Sequence, residues 1–84
     1  MDFTQILGYT AGAITSLTFL PQVIKTWKEK SATNISLMMF LIAVTHEAMW
    51  ITYGILRHDM VIIVTNAFLF IMSWIMIYFK LTYK

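Results

Sequence analysis

The chain has 84 residues, of which 60% are hydrophobic and 12% charged, with a formal net charge of +2 and no cysteine. A soluble domain is nearer half apolar and a quarter charged, so a water-soluble monomer, a disulfide scaffold and a cysteine-built zinc site are excluded. So are intrinsic disorder and, because the pI of about 9.1 rests on few charges, a nucleic-acid-binding stripe.

The charges are grouped, and the gaps between them set the expected elements. Phe3 to Ile24 run 22 residues without a formal charge, Ile35 to Leu56 run 22 with Glu47 alone, and Met60 to Phe79 run 20 without one. A hydrocarbon core of about 30 Å takes about 20 helical residues. Residues 1–84 therefore read as one all-α membrane domain of three transmembrane helices over 3–24, 35–56 and 60–79. Apolar residues come in blocks rather than alternating, which argues against a barrel.

Within the first span Gly8 and Gly12 form a G-x-x-x-G, a pattern that admits close helix approach. Pro21 lies near its end, where it removes a backbone hydrogen bond and crowds the Leu17 carbonyl. A kink or hinge is expected there, with Gln22 bonding the freed backbone. The connection Lys25–Asn34 is the one long polar cluster, and Asn34 or Ser36 is placed to cap the next helix.

The second span carries a stripe. Met39, Ala43, His46, Trp50, Tyr53 and Arg57 are spaced +4, +3, +4, +3, +4, which puts them on one helical face. Leu41, Val44, Ala48 and Ile55 lie opposite. Glu47 stands at the margin, about 60° from Trp50. Each stripe residue also has a plain packing role: Trp50 as a core or lipid-facing aromatic, Tyr53 and Arg57 as interfacial anchors, and His46 as a neutral histidine on a backbone carbonyl. A carboxylate at membrane depth, such as that of Glu47, is a functional candidate by default. Asn66 in the third span bonds well to a neighbouring helix.

Lysine placement sets orientation. Lys25, Lys28, Lys30, Lys80 and Lys84 share one side, and Arg57 stands alone on the other. The first loop and C-terminus are expected in the cytoplasm and the N-terminus outside, in the inner (plasma) membrane. With no basic residue before it, the first span is expected to be retained rather than cleaved as a signal. Three helices around a line enclose no solute-sized cavity, yet each span holds polar groups. A parallel homodimer with its two-fold axis along the membrane normal would supply a shared interior.

Four segments at their spacing resemble the SemiSWEET sugar transporters, half-size members of the SWEET and PQ-loop families: Phe19–Thr26 (FLPQVIKT), Asn34-Ile35-Ser36, Trp50–Asp59 (WITYGILRHD) and Asn66-Ala67. The resemblance implies a homodimer that carries mono- or disaccharides by facilitated diffusion and alternating access. It implies a substrate pocket of Trp50 and Asn66, which His46 borders on the same face. It also implies an extracellular gate of Tyr53, Arg57 and Asp59, with a hinge and intracellular gate of Pro21, Gln22 and Met39. His46 and Glu47 replace small or apolar residues of the family, and Ala43 replaces a bulky aromatic. Two other readings remain open: a proton-coupled carrier of an amino acid or amine using Glu47 with His46, and a non-transport interaction subunit using the Gly8/Gly12 face. No enzyme motif, metal site or cofactor is expected; His46-Glu47 begins H-E-x-x-H, but Trp50 stands where the second histidine belongs.

Overall fold

The computed structural model describes residues 2–83 as three helices: α1 (Phe3–Glu29), α2 (Leu37–Leu56) and α3 (Met60–Tyr83). Each begins at a polar cap. Asp2 closes a capping box with Gln5, its carboxylate accepting from Gln5 N at 2.8 Å while Gln5 Oε1 accepts from Asp2 N at 3.3 Å. Ser36 Oγ accepts from Met39 N at 3.2 Å, so Ser36, not Asn34, starts α2. Asp59 Oδ1 accepts from Val61 N and Ile62 N at the head of α3. Such caps satisfy amides that the helix itself leaves unpaired, for about 1 kcal/mol each.

The helices end differently from the charge gaps. α1 runs on past Ile24 to Glu29, because Lys-Thr-Trp-Lys-Glu contains no breaker. It stops where Lys30 turns left-handed at φ 50° and donates to the Thr26 carbonyl. α3 likewise continues past Phe79 to Tyr83. The tight α2–α3 turn is built on His58 at φ 55°, with Asp59 N donating to Gly54 O at 2.8 Å.

α3 is the middle helix. It packs against α1 on one side and α2 on the other, while α1 and α2 have no close backbone approach. α1 and α3 run parallel: Gly8 lies against Val61 and, one turn on, Gly12 against Thr65, so close that a Cβ at either glycine would overlap its neighbour. The G-x-x-x-G is thus consumed inside one chain, which removes the free face that an interaction subunit was expected to use.

α2 and α3 run antiparallel. Gly54 abuts Ile62 and Ile63, and Phe40 and Val44 join Met76, Ile77 and Phe79 in the buried cluster. Phe19 of α1 meets Phe40 edge to face at 6.3 Å between centroids, at the same end of the molecule. Lys80 Nζ donates to Ala32 O at 2.9 Å and pins the first loop to α3.

The result is a layer 42 × 21 × 13 Å, about one helix thick. Two of its helices, α2 and α3, are long and apolar enough to cross a membrane. α1 is long enough, but Thr4, Thr10, Thr15, Ser16, Thr18 and Gln22 dilute its apolar run. Three of these hydroxyls bond back to their own helix: Thr15 to Ala11 O, Ser16 to Gly12 O and Thr18 to Ile14 O. This is how hydroxyls are accommodated in membrane helices.

Candidate functional site

One helix, α2, supplies most of the site, because its two faces meet different surroundings. The face carrying Val44, Glu47 and Gly54 is buried against α3. The face carrying Met39, His46, Trp50 and Tyr53 is open, with Trp50 41% exposed and Met39 68% exposed.

On the open face three rings form a ladder. Trp50 Nε1 donates to His46 Nε2 at 2.8 Å, and the two rings meet edge to face at 6.2 Å. Tyr53 meets Trp50 from the other side at 5.5 Å and 87°. His46, Met49, Trp50 and Tyr53 line a groove of about 330 Å³. The plain packing role would put His46 on a backbone carbonyl; it bonds the Trp50 indole instead, because a four-residue step on a helix stacks one side chain over the next.

Asn66 lies on α3. Its depth follows from two crossings: Gly54 against Ile62 and Ile63, and Glu47 beside Ser73. Asn66 falls between those levels on α3 as Trp50 does on α2, so the two share one depth. Asn66 Nδ2 donates to Ile62 O at 3.0 Å. Its Oδ1 and second amide hydrogen stay available, an acceptor and a donor for a hydroxyl.

The expected gate residues sit at opposite ends. Met39 lies 11 residues from Trp50 and Arg57 seven, about 16 Å and about 10 Å along the helix. Pro21 shares the Met39 end and lines a surface groove of about 620 Å³ with Leu17, Leu20, Ile24 and Lys25. Gln22 does not bond the backbone freed by the proline; it is exposed and borders a polar recess of about 230 Å³ with Lys25, Thr26, Glu29 and Asn34. At the other end Arg57 is exposed. Asp59 is engaged as a helix cap through Oδ1, a role that an acidic residue just before an apolar run announces.

Glu47 does not join the ladder. It is 4% exposed and turned into the α2–α3 seam beside Ser73, which is fully buried. Glu47 Oε1 and Ser73 Oγ have no hydrogen-bond partner. The Glu47–Ser73 pairing had no signal in the sequence, because a single helix's periodicity does not say which neighbour its margin meets. Among the described residues no group of three or more histidines or acids is placed to hold a metal ion.

The family model described as PQ loop repeat matches residues 3–63. A protein named "Sugar transporter SemiSWEET" from Leptospira biflexa is 36% identical over 77 residues, covering 92% of this chain and 91% of the relative. The chain belongs to the SemiSWEET/PQ-loop family. An uncharacterised protein of Methanocaldococcus jannaschii is 47% identical over 76 residues, with 89% of this chain and 81% of that protein covered. A solved structure described as a bacterial homologue of SWEET transporters superimposes with a TM-score of 0.93 at 34% identity, over 99% of this chain and 100% of the other. As a SemiSWEET-family chain it is a multi-pass membrane protein, and its three-helix layer is the family fold.

Proposed function

We propose that two copies of this chain stand parallel in the inner membrane and carry small sugars downhill by alternating access. The carrying observation is the exposed His46–Trp50–Tyr53 ladder, level with Asn66, on a layer one helix thick. An aromatic ladder at mid-depth, backed by its own helix and open on the other side, is half of a chamber. A second copy supplies the other half with the same residues. The relatives named as sugar transporters support the choice of cargo.

Trp50, Asn66 and His46 form the substrate site in this reading. The indole face suits sugar C–H groups and the amide suits hydroxyls. A neutral sugar needs no charged partner. Tyr53, Arg57 and Asp59 form the extracellular gate, with the Asp59 oxygen not used in capping available to a partner's guanidinium. Pro21, Gln22 and Met39 form the hinge and intracellular gate. All three helices cross the bilayer in a single domain spanning the chain, with the N-terminus outside and the lysine-rich loop and C-terminus inside.

Uptake of labelled mono- and disaccharides into proteoliposomes tests this. Wild-type protein takes up sugar, and Trp50→Ala loses uptake while still inserting and crosslinking as a dimer. Equal uptake by the two overturns the pocket. A pH gradient drives no accumulation of sugar, and Glu47→Gln leaves uptake unchanged; accumulation that follows the gradient and vanishes in Glu47→Gln would favour the proton-coupled reading instead.

A further inference from the structure

Trp50 is held from both sides, and the two holds differ in kind. Tyr53 offers an edge-to-face ring contact. His46 offers a hydrogen bond. The indole nitrogen is a donor only, so at 2.8 Å His46 Nε2 must accept. A histidine nitrogen that accepts carries a lone pair, and the ring proton then sits on Nδ1. The contact therefore exists only while the imidazole is neutral.

We propose that His46 is a positioning residue for Trp50: its neutral imidazole fixes the indole plane through Nε2, and proton uptake at that nitrogen releases the ring. The inference rests on the sugar-site reading of Trp50 and deepens it. With its N–H committed to His46, Trp50 presents an apolar face to the solute and nothing else. Hydrogen bonding to sugar hydroxyls falls to the free amide atoms of Asn66. Once Nε2 is protonated, two N–H donors point at one another and the indole turns away.

The groups around His46 bear on its charge. Glu47, next to it in sequence, interacts with it by charge although its side chain is turned into the seam with α3. Tyr53 lies beyond Trp50. α3, the helix packed on α2, brings Ser73 and Asn66 to this level, and neither titrates. α1 has no close backbone approach to α2.

The test uses the full-length dimer in liposomes with Trp27→Phe and Trp74→Phe, leaving Trp50 as the single reporter. Emission and sugar uptake are followed from about pH 8 to about pH 5, with equal pH on both sides. The expected result is a shift in Trp50 emission on acidification with a loss of uptake of about three- to tenfold, the effect of one hydrogen bond. His46→Gln supplies a carbonyl that accepts without titrating; it keeps emission flat and makes uptake independent of pH, whatever its level. His46→Leu is lowered at every pH. A Glu47→Gln profile that matches wild type supports the assignment. Emission that titrates identically in His46→Gln, or that stays flat in wild type, overturns it. Emission that follows His46 in a protein indifferent to sugar supports the contact and sinks the cargo reading, which separates the two.

Discussion

The two faces of α2 are built from the same twenty residues and finish differently. The face toward α3 is complete: Val44 and Phe40 are buried in a cluster with Met76 and Ile77, and Gly54 brings the backbones together over Ile62 and Ile63. The ladder face has a chain of oriented rings and nothing across from it. A membrane helix gains little from burying apolar groups against protein rather than lipid, so close packing and polar contacts decide where helices join. The seam has its packing already. The ladder has oriented polar atoms and no packing partner within the described residues, which is the ground for proposing it as the face for a second copy and a solute.

Substitutions on the two faces break this contrast in different ways. The largest effect belongs to the ladder: Trp50→Ala reduces sugar uptake to the level of empty liposomes, while insertion and thermal stability in detergent change little. A variant that unfolds instead places Trp50 in the packing and erases the distinction. Gly54→Val does the opposite. Its added atoms meet Ile62 and Ile63 where a Cβ alone already comes within 3.0 Å, and overpacking of this kind costs about 1–3 kcal/mol, read as a lower melting temperature in detergent. A smaller loss follows Lys80→Met, which removes the bond from Nζ to Ala32 O and frees the first loop; hydrogen exchange at residues 31–35 rises, for about 1 kcal/mol. Smallest is a gain: His58→Gly relieves a left-handed residue in the α2–α3 turn and stabilises by about 0.5–1 kcal/mol. A loss there would mean that the imidazole has a partner across the dimer.

The fold was legible because charge is so expensive at membrane depth. Three gaps between charges placed three helices, and the ends missed by a few residues where polar but helix-compatible stretches continue a turn, as in Lys25–Glu29. The ladder was legible too, since +4 and +3 steps define a face without knowledge of any neighbour. Matters that depend on a neighbour were not. Gly8 and Gly12 announced a close approach but not that Val61 and Thr65 of the same chain would fill it. Glu47 stood at a margin, and only the position of α3 decided that it turns inward to Ser73. Asp59 was read for its charge at the mouth, yet its position ahead of an apolar run already specified a cap.

The placement of α3 between α1 and α2 bears on biosynthesis. Of the three helices the central one is made after the other two, and those two have no close backbone approach to one another. Until Met60–Tyr83 enters the bilayer, the nascent chain holds two spans whose mutual contact is the Phe19–Phe40 ring pair, and both close backbone seams form in one late step. A premature stop anywhere before that point leaves quality-control proteases a product that lacks both backbone seams.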